Sequence, residues 1–439
     1  MINTVTAPAP WGVLQGLRYG LIGFPLAFCA LPLYVWMPNR YAREWGVSLA
    51  ALGAVLLGAR LLDAVIDPVL GRLCDRLYAR SLRAVLLFGA AAAAALALGF
   101  SLLFVPPLRE SDLLVQWAAV WLVVTYAAYS ALSIAHQSWG AKFGGDAVFR
   151  SRVVAWREGL GLVGVVMAAV TPAVGGVPML LALLLIGLAA GIWAWSRAPR
   201  PPSAPLPQPV DASAAAAPGT TCSWLWQPWK RTAFRRLLAV YLVNGIASAI
   251  PATLVLFFVQ DRLQAGESLQ SAALGLYFVS GALSMPVWLQ CVRRWGLERS
   301  WLFGMVLSIA AFLGASLLGA GDVGLFLVVC ALSGAALGSD LALPGALLAG
   351  MIAQAGDQGR AEGAYFGWWN FATKLNLALA AGLALPLLSW LGYVPGARDA
   401  HALQMLTVAY CLVPCALKAL AALALVFLIP PRTAVHNTL

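Results

Sequence analysis

The chain has 439 residues, a net charge of +11, 62% hydrophobic residues and only 10% charged ones. A soluble domain carries about 25% charged residues, so this composition excludes an ordinary soluble protein of two or three domains. It also excludes a β-barrel, whose strands alternate in polarity over about 10 residues, whereas the apolar runs here are long and continuous.

Stretches such as Ala84 to Val105, Leu180 to Trp195 and Leu417 to Ile429 are almost free of charge. About 20 such residues in a helix cross a hydrocarbon core of ~30 Å, and backbone groups there must be satisfied internally. Twelve helices are predicted in chain order, over 12–37, 47–74, 83–105, 113–140, 153–175, 177–197, 234–260, 271–293, 299–320, 322–350, 361–392 and 400–430. Between the sixth and seventh the chain reads APRPPSAPLPQPVDASAAAAPGTT. Proline removes amide donors and blocks helix, so this segment is a flexible linker. The expected organisation is a six-helix bundle over 1–197, a Pro/Ala-rich linker over 198–233 and a second six-helix bundle over 234–439. The first apolar segment contains Arg18, follows no basic leader and reads as a permanent helix.

Lys and Arg set the orientation. One set of loops holds Arg72, Arg76, Arg80, Arg83, Lys142, Arg150, Arg152, Arg157, Arg197, Arg200, Lys230, Arg231, Arg235, Arg236, Arg293, Arg294, Arg299, Arg360 and Arg432. The other set holds only Arg40, Arg43, Arg109, Arg262 and Arg398. Basic loops stay in the cytoplasm, so both termini and the linker are expected there. The same bias explains the positive charge without a nucleic acid. Expected partners are the lipid bilayer and a small-molecule solute, for a monomer in the plasma (inner) membrane of a bacterium.

Two six-helix halves joined by a cytoplasmic linker are the plan of the major facilitator superfamily, in which the substrate site lies at mid-membrane between the halves. Charges within such helices are costly and usually functional. Helix two carries Arg60, Asp63 and Asp67 at spacings that share a face. Two carboxylates with one guanidinium can bind a cation or hold a proton; the alternative is a structural salt bridge. Gly71, Asp75 and Arg76 follow, and their pattern resembles the G-x-x-x-D-R loop of that superfamily, a gating element. Arg157 and Glu158 read as a further gate pair. Helix eleven offers Trp369, Asn370 and Lys374; Lys374 calls for a carboxylate partner, for which Asp63 or Asp67 is the candidate. Candidates for the substrate cavity are Arg18, Tyr19, Tyr126, Tyr129, His136, Asp340, Trp369 and Asn370.

No P-loop, HExxH or GxSxG motif occurs, and the three histidines and scattered cysteines show no metal-ligand spacing. The expectation is a chain that is not an enzyme, with no cofactor and no resident metal, coupled to H+ or Na+.

The run Arg60-Leu-Leu-Asp63-Ala-Val-Ile-Asp67-Pro-Val-Leu-Gly-Arg-Leu-Cys-Asp75-Arg76 resembles the helix-two signature of the glycoside–pentoside–hexuronide:cation symporters. Arg150-Ser-Arg152 through Glu158-Gly159, Asp340 through Pro344, and Arg360 through Lys374 to Tyr393 resemble the same family. The resemblance implies that Asp63 and Asp67 are the cation-site carboxylates and Lys374 the lysine that interacts with them. Sodium-using members often place Asn between the aspartates; Ile66 stands here and removes an oxygen ligand, which favours the proton. Helix one lacks the Asp of sugar-binding members, and Gly350 replaces another family Asp in helix ten. The function expected is cation-coupled symport of a small polar organic solute by alternating access. The alternatives are a proton-coupled exporter of an amphipathic compound and a non-transporting receptor or assembly factor on the same fold.

Overall fold

The computed structural model describes residues 11–202 except 109, 225–390, 393, 396 and 398–429. The greater part of the predicted linker lies outside the described residues. All regular elements among the described residues are helical. The first span, α1, runs through Val13–Gly20, Gly23–Leu31, a π turn at Pro32–Trp36 and Met37–Trp45. Then come α2 (Leu49–Arg80), α3 (Leu82–Phe104) and α4 (Ser111–Lys142). Ala147–Ser196 breaks at Gly176 into α5 and α6. Thr232–Arg262 is α7. Glu267–Ala315 breaks at Gly296 into α8 and α9. The last three are α10 (Val323–Gln354), α11 (Glu362–Trp390) and α12 (Ala400–Leu428).

The twelve predicted helices are all found among the described residues. Eight described stretches are long and apolar enough to span a membrane by themselves, the α8–α9 pair counting as one of them. Val13–Gly20 with Gly23–Leu31 forms another span, bent by 41°.

Local chemistry fixes the helix starts. Ser48 Oγ accepts from Ala51 N at 3.1 Å, Ser81 Oγ from Ala84 N at 3.1 Å, Asp146 Oδ1 from Phe149 N at 2.7 Å and Asp399 Oδ2 from Ala402 N at 2.9 Å. Each side chain satisfies an amide that has no partner within its helix. Tight reversals are made by glycine. Gly176 sits at φ 58°, ψ −155° and Gly296 at φ 80°, ψ 176°, a region open essentially to glycine alone. Gly296→Ala is therefore expected to lower stability by about 1–3 kcal/mol, read as a drop in the thermal midpoint in detergent. An unchanged midpoint would mean that the α8–α9 reversal relaxes freely.

The chain divides into two compact units, residues 1–225 with 352–367, and residues 226–351 with 368–439. In the first unit α1 packs on the α5–α6 pair, and α2 and α3 both pack on α4. Phe100, Leu103, Phe104, Leu114 and Leu122 fill its interior. In the second unit α7 packs on α12, and the α8–α9 pair also meets α12. Leu254, Phe258, Phe326, Leu406 and Tyr410 form a core there. Large apolar side chains also cover the outside, among them Leu57, Leu87, Ile186, Leu283 and Phe427. In water this would be a liability; against lipid tails it is the expected solvent-facing surface.

Candidate functional site

Helix α2 has two contrasting sides. Leu61, Leu62, Val65 and Val69 are exposed, as a lipid-facing stripe should be. Asp63 is 6% exposed and Asp67 is wholly buried. Because 3.6 residues make a turn, a four-residue spacing stacks the two carboxylates on the inward side. Ser130 Oγ of α4 donates to Asp63 Oδ1 at 2.8 Å. Half-buried Arg60 has Tyr126 and Asp63 as electrostatic neighbours. The structure thus brings together Arg60, Asp63, Tyr126 and Ser130 from α2 and α4, with Asp67 one turn along. Tyr129 is half-buried on the same helix as Tyr126.

Tyr19 and His136 form a separate nest. Their rings stack with centroids 4.3 Å apart, and Tyr19 Oη donates to the His136 carbonyl at 3.3 Å. His136 Nε2 lies 2.8 Å from the Tyr19 carbonyl, so Nε2 carries the proton in this arrangement. Trp195 packs edge-on against the imidazole. Both side chains are buried and lock α1 to α4, while Arg18 beside them is half-buried.

The predicted gating residues fall into two groups. Arg157 donates from Nε to Glu158 Oε1 at 3.0 Å, a pair of chain neighbours about three turns into α5. Gly71 and Asp75 instead meet the beginning of α11. A Cβ on Gly71 would collide with the Gly363 carbonyl, and one on Gly363 with the Gly71 carbonyl, so the two backbones touch because neither residue has a side chain. Asp75 accepts from Gly363 N at 2.7 Å and from Ala364 N at 2.9 Å. A carboxylate there satisfies two first-turn amides and meets the positive end of the helix dipole. Arg76 is exposed. Next to the cap, Lys142 Nζ lies 2.6 Å from Glu362 Oε2, with the two side chains 7% and 0% exposed. The Lys142 ammonium also sits over the Tyr78 ring at 4.7 Å. These bonds tie residues 352–367, the end of α10 and the start of α11, into the first unit.

The second unit holds the remaining candidates. Trp369 is buried and stacks on Tyr241 at 3.8 Å. Tyr241 Oη and Thr373 Oγ1 lie 2.8 Å apart. Asn370 and Lys374 are half-buried on the same helix. Asp340 of α10 is encircled by donors from Asn244, Ser248, Trp301 and Lys418.

Buried carboxylates in lipid-facing helices, without any catalytic constellation, are the furniture of a transport protein. The profile of the MFS/sugar transport protein family matches residues 18–430, nearly the whole chain. The chain belongs to that family. It is an integral membrane transporter of the major facilitator superfamily rather than an enzyme.

No curated protein matches the sequence significantly. Solved structures share the transporter's fold. A bacterial homologue of the iron transporter ferroportin in an outward-facing state superposes with a TM-score of 0.68 at 15% identity, covering 94% of this chain and 99% of that one. The human organic anion transporter MFSD10 gives 0.61 at 17%, with 95% and 100% covered. The fucose:proton symporter FucP of E. coli gives 0.64 at 13%, with 95% and 98% covered. At such identities the likeness speaks for the fold alone.

Two lysines of the transporter were not singled out from sequence. Lys142 looks there like one more basic loop residue, yet it is buried against Glu362. Lys418 looks like an isolated charge in α12, yet it pairs with Asp340. The only signal in sequence was an uncompensated charge in or beside an apolar run, and the partner lies 220 residues away in one case and 78 in the other.

Proposed function

We propose that the transporter is a cation-coupled symporter of a small polar organic solute, working by alternating access, with the proton as the coupling ion. The observation that carries this reading is the pair Asp63 and Asp67, buried one turn apart on the inward side of a lipid-facing helix. Two carboxylates on one side of a helix offer oxygen atoms to a proton or a cation. Ile66 supplies no oxygen ligand, which disfavours sodium. The family description names sugar transport, and one protein of the same fold is a fucose:proton symporter. The resemblance of residues 60–76 to the glycoside–pentoside–hexuronide:cation symporters points the same way and gives Lys374 the role of countercharge to the carboxylates.

On this reading the Asp75 cap and the Lys142–Glu362 pair are a gate, closed while residues 352–367 are held by the first unit and opened when they are released. The bias of basic residues to one set of loops supports cytoplasmic termini, and the proposed setting is the inner membrane of a bacterium, as a monomer.

The test is thermal stability of the purified protein against a panel of sugars and other polar solutes, in sodium, lithium or choline, at two pH values. A ligand that binds only the folded state adds ~2.7 kcal/mol at a hundredfold excess over its dissociation constant. Stabilisation that depends on pH and ignores sodium is the expected result. Stabilisation strengthened by sodium overturns proton coupling, and a panel with no response overturns the polar-solute assignment.

A further inference from the structure

A cavity of about 130 Å³ lies within the second unit, lined by segments of α7, α8, α9, α10 and α12. Its walls are largely apolar and aromatic, with Tyr277, Phe278, Phe312 and Tyr410 among them. Lys418 and Asp340 both reach it. Their side chains are 6% and 12% exposed, and Lys418 Nζ lies 2.7 Å from Asp340 Oδ2.

The two partners are held very unequally. Asp340 Oδ1 accepts from Asn244 Nδ2 at 3.1 Å and from Trp301 Nε1 at 2.9 Å. Asp340 Oδ2 accepts from Ser248 Oγ at 3.3 Å as well as from Lys418. Three neutral donors would therefore still hold the carboxylate if Lys418 turned away. Lys418 has two acceptors, Asp340 Oδ2 and Ser248 Oγ at 2.8 Å. An ammonium has three donors, so one is left over among the described residues. It sits at the end of a flexible stem, in a wall of an apolar cavity. A buried ion pair contributes little net stability, because desolvation offsets most of the attraction. Apolar packing would serve stability as well, which points to a use for the charge.

We propose that this cavity binds a small organic anion, an apolar body carrying one carboxylate, with Lys418 as the residue that takes the carboxylate. The signs of charge decide the class. A cationic head meets the Lys418 ammonium and a carboxylate already filled by four donors. A neutral head gains one hydrogen bond and no charge. An anionic head gains the spare donor and the ammonium charge, while Asp340 keeps its three neutral donors. The apolar body gains by leaving water for aromatic walls. The site involves the second unit only, and it stands whether or not Asp63 and Asp67 carry the coupling ion.

The experiment is calorimetric titration of the full-length purified protein with benzoate, benzamide and benzylamine, which differ in head group alone. Benzoate should bind at least about tenfold more tightly than either analogue, a difference of ~1.4 kcal/mol. Lys418→Gln should weaken benzoate by at least about tenfold, whereas Asp340→Asn, which removes a like charge and frees the ammonium, should not weaken it. Ser308→Leu narrows the cavity without touching the ion pair and should abolish binding. It decides the matter if Lys418→Gln fails to fold. Equal binding of benzamide, unchanged binding by Lys418→Gln or by Ser308→Leu, or no benzoate binding at all overturns the proposal.

Discussion

Replacing Asp67 with asparagine is expected to abolish gradient-driven uptake while preserving the fold. Asp67 is wholly buried in α2. An amide of nearly the same shape keeps the packing there, so a cooperative thermal transition should persist. Uptake should fall on the order of a hundredfold or more, because an amide cannot take and release the proton that links ion and solute. The measurement is uptake, in proteoliposomes under a proton gradient, of the solute that stabilises the purified protein most, with the thermal midpoint taken on the same preparation. A purely structural charge would spare transport in a variant that folds. Normal uptake by Asp67→Asn would sink the coupling assignment.

Glu362→Ala is expected to be the most damaging single change to stability. It removes the carboxylate 2.6 Å from Lys142 and leaves an ammonium 7% exposed without its countercharge. Stranding a buried charge costs about 3–5 kcal/mol. Gly359 N also donates to Glu362 Oε1 and loses that acceptor. Replacing both partners with apolar residues of similar size, Lys142→Met with Glu362→Leu, should recover most of the loss, because the desolvation cost disappears with the charges. A double-mutant cycle on thermal midpoints should give a coupling of at least about 2 kcal/mol. Additive single effects would mean that the two side chains are held by their surroundings and not by each other.

The broad design was legible in sequence because lipid imposes a strong rule. Backbone groups must be satisfied inside each helix, and so the apolar runs declare themselves. The breaks came through as well: the boundary predicted between 175 and 177 is where Gly176 turns the chain. The extent of α2 was underestimated. It runs to Arg80, beyond the predicted end at 74, because Arg72, Asp75, Arg76 and Arg80 lowered the apolar signal without breaking the helix. At the site, the shared face of Asp63 and Asp67 followed from helical spacing. Ser130, Lys142 and Lys418 acquired their significance only from partners distant in sequence, and no periodicity reports a contact of that kind. Tyr19 and His136 illustrate the converse. Each looks in sequence like a group awaiting a ligand, and in the fold they stack on one another.

Ser81 is the sole residue between α2 and α3, serving as C-cap of one and N-cap of the other. This arrangement bears on how the chain is made. Arg60, Asp63 and Asp67 would each cost a lone helix about 2.5–3.5 kcal/mol at the bilayer centre, so α2 is a poor substrate for the translocon by itself. Its successor has a mean hydropathy of 2.2 and no such handicap. Joined at Ser81, the two enter the bilayer as one helical hairpin, α3 providing the driving force that the ionisable helix lacks. The residues proposed to couple transport thus depend, during biogenesis, on a neighbour that carries no charge beyond Arg83.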